Sequence, residues 1–385
     1  MTGTETITET ILDRLVAFPS VCGQSNTDMI GWIAAHLAAL GARVRRIPGD
    51  RPDAFSLFAS VGPDIPGGIV LSAHSDVVPA AGQAWSSDPF VLTKRDDRLY
   101  GRGTSDMKGF LACMLTAAGK AAARPLVRPL HLVISHDEEL GCLGVRSLLA
   151  ALKTDGGMRG AAGCIIGEPT EMAVAVAHKG KIAFRIVSRG EAAHSADPFR
   201  GTNAIVLAAQ MIGRLTDLQD HIRVTEPHDT RFAVPFSTVQ AGLIEGGTAL
   251  NIVPDLCVAT AEMRLIPGQD GSASLAWLDA AARRVEAEAG RGTIRIDIVN
   301  AYPGLDGCAD TEICALGLRA AGRNAPGVID FGTEAGLFAQ QLGLPCIVCG
   351  PGSIGRAHKA DEYITTRELA QGDRFLDGIL DRLRR

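Results

Sequence analysis

The sequence predicts an α/β protein: a mixed, largely parallel sheet with helices on both faces, and a smaller β-α-β-β-α-β domain inserted into it. Two patterns carry this expectation. Short apolar runs alternate with helical periodicity through the first half of the chain, and near residue 180 the pattern changes to longer runs with period-two alternation. A third observation bears on chemistry, because several of the apolar runs stop on His, Asp or Glu.

Residues 26–40 have helical periodicity and stop at Gly41, a residue suited to the left-handed position after a helix. Strand-like runs follow: VRRI (44–47), IVLSAHSD (69–76), LHLVISHD (130–137) and GCIIGE (163–168), with helical segments at 108–123 and 143–152. Strands that read as continuous apolar runs, joined through helices, imply a parallel sheet buried on both faces. KIAFRIVSRG (181–190) then reads as a strand, 201–219 as a helix, FSTVQAGLIEG (236–246) and DLCVATAEMRLI (255–266) as strands, 273–289 as a helix and TIRIDIVNA (293–301) as a final strand. That order is the ferredoxin-like unit. Beyond Tyr302 the α/β pattern resumes through LPCIVCGPG to a helix over 366–384. The expected division is a larger domain of residues 1–179 and 301–385, with 180–300 inserted.

Composition narrows the function classes. Hydrophobic residues make up 46% and charged residues 21%, ordinary for a globular enzyme. The N-terminus has acidic residues and no basic segment ahead of a long apolar run, so it does not read as a secretory signal. No run approaches the ~18 apolar residues of a membrane span. A net charge of −5 without a Lys/Arg run argues against nucleic acid. The nine scattered cysteines fit free thiols of a reducing cytoplasm. Cys346 and Cys349, spaced like a redox pair, sit in an apolar run and read as core residues.

His74 and Asp76 end one strand-like run, and Glu138 and Glu139 follow another. Glu168 follows CIIG, Asp106 lies in the glycine-flanked turn GRGTSDMKG, and His358 lies in GSIGRAHKADE. Open α/β sheets bind ligands at the carboxyl ends of their strands, where three of these segments place their acids. Two histidines and three carboxylates, from His74, Asp106, Glu138 or Glu139, Glu168 and His358, together suit Zn²⁺, with Co²⁺ or Mn²⁺ as alternatives. Two imidazoles do not fill two tetrahedral shells, so one carboxylate should bridge a pair of cations. Asp76 is placed to support His74, since metal-bound histidines donate their other N–H to a carboxylate or carbonyl. Of the adjacent Glu138 and Glu139, one can bind metal while the other acts on water as a general base.

HSDVVP (74–79), GRGTSDMKG (101–109), DEE (137–139), GEPT (167–170) and AHKADEY (357–363) resemble the signatures of the M20 family of metallopeptidases and deacylases. The resemblance covers nearly the whole chain and implies a metal-dependent aminopeptidase-like fold with two divalent cations, Zn²⁺ first and Co²⁺ second. It implies that Asp106 bridges them, that His74 and Glu168 complete one site and Glu139 and His358 the other, and that Glu138 is the general base. It also implies a cis peptide bond after Asp106. The insert resembles that family's lid and dimerisation domain, which implies a homodimer. There His194 is similar to a histidine that reaches the neighbouring active site and stabilises the oxyanion, and Asn251 and Arg264 to residues that hold substrate oxygens and the substrate carboxylate. Family members commonly have Gly-His-Ser-Ser where this chain has Ala193-His194-Ser195-Ala196.

The activity implied is hydrolysis of the N-acyl amide of a small amino acid, N2-acetyl-L-ornithine first, giving L-ornithine and acetate, a step of arginine biosynthesis. The rivals are desuccinylation of succinyl-diaminopimelate, N-acetylcitrulline hydrolysis, other aminoacylase reactions and dipeptide cleavage. From other classes, a non-catalytic metal-binding protein would be expected to lack the base, and Glu138 is present; a redox protein would rest on the cysteine pair alone. For a cationic substrate side chain, Glu334 in FGTEAG is the candidate partner, although an acid there also suits the first turn of a helix at 335–342.

Overall fold

The computed structural model describes residues 5–385, in two compact units. The first contains the chain up to Ala177 with Leu305–Ile329 and Thr333–Arg385, and the second contains His178–Gly304 with Asp330–Gly332.

In the first unit the chain runs through α1 (Ile7–Val16), α2 (Thr27–Ala39), β1 (Arg43–Pro48), β2 (Phe55–Val61) and β3 (Ile69–His74). After the hairpin β4 (Thr93–Arg95) and β5 (Arg98–Tyr100) come α3 (Lys108–Ala122), β6 (Leu130–Ser135), α4 (Gly144–Asp155), β7 (Cys164–Ile166) and β8 (Ala175–His178). The second unit holds β9 (Gly180–Arg189), α5 (Ala204–Thr225), β10 (Thr238–Gly246), β11 (Leu256–Leu265), α6 (Ser272–Ala289) and β12 (Thr293–Tyr302). The first unit then resumes with β13 (Leu305–Asp306), α7 (Glu312–Ala321), β14 (Gly327–Ile329), α8 (Ala335–Leu342), β15 (Cys346–Val348), β16 (Tyr363–Thr365) and α9 (Thr366–Leu383).

The main sheet has the order β1-β2-β6-β3-β7-β15-β8-β13, with β14 beside β8. Its centre, β6-β3-β7-β15, is parallel, and the pairs β1/β2, β2/β6 and β15/β8 are antiparallel. β3 and β6 are buried along their whole length, which is why each reads as an unbroken apolar run. Register puts His74 opposite Ser135 and Ser72 opposite Ile166, so β3, β6 and β7 end level at one edge of the sheet. Leu12, Leu15, Ile30, Ile33 and Leu37 from α1 and α2, most of α3, and Phe375 and Ile379 of α9 form the core with the sheet. Each such side chain contributes about 1.5–3 kcal/mol by burial.

Helix ends follow local chemistry. α1 and α9 open with capping boxes, Thr6 with Glu9 and Thr365 with Glu368, each satisfying N–H groups the helix leaves over. Gly156, Gly290, Gly322 and Gly343 end α4, α6, α7 and α8 in the left-handed conformation.

The second unit is a four-stranded antiparallel sheet in the order β10-β11-β9-β12. That is the ferredoxin-like arrangement, with α5 and α6 supplying Met211, Leu218, Leu278 and Val285 against Phe184, Ile186, Ala259 and Met263. Strand burial alternates along β9 and β11, the signature of one covered face.

The sequence pattern left α1, β2, β8, α7 and the short strands β4, β5, β13 and β16 unread, and it carried β3, β6 and β7 two residues too far. Among the described residues no helix is long and apolar enough to cross a membrane. All nine cysteines are free, and both Cys346 and Cys349 are buried.

Candidate metal centre

Where β3, β6 and β7 end, the chain leaves the sheet through short turns that carry acids. His74 is the last residue of β3. Beyond β6 the turn 136–139 passes through Asp137 in the left-handed region (φ 50) and delivers Glu138 and Glu139. Beyond β7 comes Gly167, whose Cβ position would lie 1.9 Å from the Phe110 ring, so only glycine brings Glu168 this close to α3. Asp106 arrives on the turn before α3, and the Asp106–Met107 peptide bond is cis. His358 (φ 61) lies on the loop before β16 and is half exposed.

These side chains converge. Asp106 Oδ1 lies 3.1 Å from His74 Nε2, and its Oδ2 lies 3.3 Å from His358 Nε2. Glu168 Oε1 is 3.8 Å from His74 Nε2, and Glu139 Oε1 is 3.1 Å from His358 Nε2. Two overlapping groups of candidate ligand atoms, His74/Asp106/Glu139 and His74/Glu138/Glu168, each lie within 4.8 Å of one another. The second places the Glu138 carboxylate against the same imidazole as Glu168.

The electrostatics fit a cation site. Burial works against the His74 imidazolium, yet Asp106, Asp76 and Glu168 hold its pKa well above the ordinary value. Hydrogen bonds to Asp106 and Glu139 push His358 up to about 10. Asp106 is buried, but the two imidazoles hold its carboxyl below the usual range. Burial, reinforced by the charges of Glu139, Glu334 and Asp76 and opposed by His74, pushes Glu138 up to about 8. Burial and the charge of Asp106 raise Glu168 well above a normal glutamate, and burial raises Glu139 as well. Six acids thus crowd two imidazoles, and their negative charge favours a cation, whether a proton on each ring or a metal ion in its place. Imidazole nitrogens and carboxylate oxygens in this number are a borderline-to-hard donor set that suits Zn²⁺, Co²⁺ or Mn²⁺.

Asp76 behaves differently from the expectation built on strand geometry. β3 ends at His74, so Asp76 lies beyond the strand, and His74 Nδ1 sits 2.9 Å from the backbone oxygen of Asp76 but 3.7 Å from its carboxylate. The carboxylate instead accepts the backbone N–H groups of Glu138 and Glu139, each at 3.1 Å. Two further contacts had no sequence signal of their own. The Cys142 thiol donates to Glu138 Oε1 at 3.2 Å. Glu362, within the AHKADEY segment, binds the backbone of the Asp106 turn.

Glu334 stands just before α8 with no capping hydrogen bond and is turned inward, 1% exposed, with Ser72 Oγ donating to its Oε2 at 3.3 Å. Burial pushes its pKa up to about 7. Ser72 lies two residues before His74, so Glu334 is buried against β3 beside the centre, with almost no surface open to solvent.

In the second unit, His194 and Asn251 are neighbours. His194 pairs with Ile252 in an isolated bridge, and Ser195 N donates to Asn251 O at 3.1 Å. Both side chains are exposed. His194 Nδ1 accepts from Ala196 N at 3.0 Å. Ala193 is not among the residues with positive φ, so alanine there carries no backbone penalty. Arg264 is engaged with Glu262 at 3.1 Å, and Lys181 binds the same carboxylate at 3.3 Å.

Residues 70–382 match the family described as peptidase family M20/M25/M40. The chain is 37% identical over 369 residues to the acetylornithine deacetylase of Salmonella heidelberg (strain SL476), covering 93% of this chain and 92% of that one. Among solved structures it is similar to an M20 family metallo-carboxypeptidase from Sulfolobus solfataricus, with a TM-score of 0.80 at 18% identity over 97% of this chain and 98% of that one. It is also similar to a dinuclear metal-binding M20 peptidase from Bacillus subtilis, with a TM-score of 0.68 at 16% identity over 98% and 97% of the two chains. At those identities the solved structures speak for the fold, while the sequence matches speak for descent and for the hydrolytic class. The chain belongs to peptidase family M20/M25/M40 and is a hydrolase of that family.

Proposed function

We propose that this hydrolase removes the acyl group from a small N-acyl amino acid, N2-acetyl-L-ornithine first, yielding L-ornithine and acetate. The observation that carries the catalytic part is the placement of Asp106, one carboxylate oxygen beside each of two histidines. The deacetylase relative at 37% identity supports the substrate.

In this reading His74, Asp106 and Glu168 would hold one divalent cation and Glu139, Asp106 and His358 a second, Zn²⁺ before Co²⁺. Bound cations supply Lewis acidity, polarising the scissile carbonyl and acidifying water. Glu138, whose carboxylate also lies within reach of His74 and Glu168, is the base and not a ligand in this reading: it takes a proton from water as the oxygen adds to the acyl carbon. It then returns that proton to the nitrogen as the C–N bond breaks, and the proton left on the new carboxyl passes to the amine, giving acetate and an ammonium. The raised pKa of Glu138 suits a group that must both accept and release a proton near neutrality, and cations beside it lower that value toward the ionised form. Asp76 holds the backbone that aims Glu138 and Glu139. His194 donates to the oxyanion from the partner chain of a homodimer formed through residues 180–300, with Asn251 and Arg264 binding substrate. The setting is the cytoplasm.

Release of amine from a panel of N-acetyl- and N-succinyl amino acids and dipeptides by cation-loaded protein tests this. Highest kcat/KM on N-acetylornithine is expected. A preference for N-succinyl-diaminopimelate, N-acetylcitrulline or a dipeptide would reassign the substrate within the family.

A further inference from the structure

The turn that carries Asp106 and the loop that carries His358 come from distant stretches of sequence, and a small sheet sets them side by side. β16 pairs antiparallel with β5, Tyr363 opposite Tyr100. The residues just beyond that pair, Gly101 and Glu362, therefore meet, and Gly101 N donates to Glu362 O at 3.0 Å. From there the Glu362 side chain enters the turn. Its Oε1 accepts the backbone N–H groups of Ser105 at 2.9 Å and Asp106 at 3.0 Å. Its Oε2 accepts the N–H of Gly103 at 2.9 Å and Nη1 of Arg102 at 2.8 Å. Gly103 takes φ 85, and a Cβ there would meet Val77 Cγ1 at 2.6 Å, so the turn that presents these N–H groups requires glycine. Glu362 and Arg102 are each 1% exposed.

The network continues to the other side of the centre. Arg102 Nη1 donates to the backbone oxygen of Lys359 at 3.2 Å, and its Nη2 donates to Gln83 Oε1. Gln83 Nε2 donates in turn to the backbone oxygen of His358 at 2.9 Å. One continuous path of hydrogen bonds thus runs from Asp106 N through Glu362, Arg102 and Gln83 to His358.

We propose that Glu362 is the positioning residue of the bridging carboxylate: it fixes Asp106 relative to His358 and thereby sets the spacing of the two cations. The proposal rests on the two-cation reading of the centre. Asp106 is crowded by like-charged acids and sits on a loop, so without restraint it would rotate toward one histidine and leave the other site short of a ligand. Four hydrogen bonds to one buried carboxylate supply that restraint, and they are charge-assisted. Glu362 touches neither substrate nor cation.

The test is Co²⁺ titration of the purified full chain, followed by visible absorption and by the integer-spin resonance of a magnetically coupled cobalt pair. The parent chain should take up a pair and show the coupled signal. In Glu362→Gln an amide NH₂ replaces an oxygen that accepts two N–H donors, without a change of shape. The first cobalt should bind near normally, the second about 10–100-fold more weakly, the range for partners of metal ligands, and the coupled signal should vanish. Gln83→Ala removes the stretch between Arg102 and His358, at a partly exposed side chain, and leaves the Glu362 grip on Asp106 intact, so it should weaken the second cobalt in the same direction by less. Parental affinity and coupling in folded Glu362→Gln would overturn the proposal. If that variant does not fold, as judged by circular dichroism, parental behaviour of Gln83→Ala overturns it instead. A parent chain that takes up no coupled pair would fail the two-cation reading itself, which separates the two failures.

Discussion

Oδ2 of Asp106 lies 3.3 Å from Nε2 of His358, a spacing at which one cation held by both atoms would displace a proton from the imidazole. The same imidazole lies 3.1 Å from Glu139, and together the two acids raise it to about 10. Cation binding is therefore expected to compete with protons. His358, His74, Glu138 and Glu168 all have folded pKa values above their ordinary ones. Their protons stabilise the cation-free fold fully below the unfolded values, about 6.5 for His and 4.3 for Glu. That contribution fades as pH rises through the folded values, toward about 8 for Glu138 and 10 for His358. Co²⁺ should bind more tightly at pH 8 than at pH 6, release protons on binding, and raise Tm more at the higher pH. Calorimetric titration in buffers of different ionisation enthalpy measures the release. Affinity independent of pH, with no proton release, would refute the competition. A chelator should abolish turnover and Zn²⁺ or Co²⁺ restore it.

Glu138→Ala should keep its cations and lose catalysis. Removing a general base costs ~10²–10⁴-fold. In Glu139→Ala, cation content and rate should fall together, because that carboxylate faces His358 and Asp106. Elemental analysis beside kcat separates the two, and identical behaviour would mean that their roles are wrongly divided.

Asp76→Asn should leave His74 in place, since the Nδ1 partner is the backbone oxygen of residue 76. It should disturb Glu138 and Glu139, because an amide NH₂ would face a backbone N–H that the carboxylate now accepts. A hydrogen bond to a charged group contributes about 1.5–3 kcal/mol, so kcat should drop on the order of 10–100-fold, with cation loss confined to the site that Glu139 serves. Loss of both cations would assign Asp76 to His74 instead.

His194→Ala should depress kcat by about 10²–10³-fold, the range for one oxyanion donor, with cations retained. If His194 of the partner subunit is the donor, exchanging subunits between His194→Ala and Glu138→Ala protein should restore activity in the mixed dimers. Exchanged dimers that stay inactive would show that the donor is not shared between chains.

Glu334→Gln should lower kcat/KM for N-acetylornithine and N-acetylmethionine by the same factor, because the carboxylate is buried against Ser72 of β3. A loss confined to the cationic substrate would return Glu334 to substrate selection.

The sequence by itself determined the central strands, the inserted unit and the residue types that meet at the centre. Period-two and helical patterns marked the central strands and the inserted β-α-β-β-α-β order, because alternation records which face each residue buries. His74, Asp106, Glu139, Glu168 and His358 were legible because each sits at the end of an apolar run or in a glycine-flanked turn. Tertiary structure alone decided how those residues are held. That Asp76 serves the backbone of Glu138 and Glu139 follows from β3 stopping at His74, a boundary that period-two alternation does not mark. That Glu362 grips the Asp106 turn depends on β16 pairing with β5, and that Glu334 turns inward depends on where α8 meets β3. Contacts between segments far apart in the chain are set by strand pairing and packing, and local periodicity carries no record of the partner.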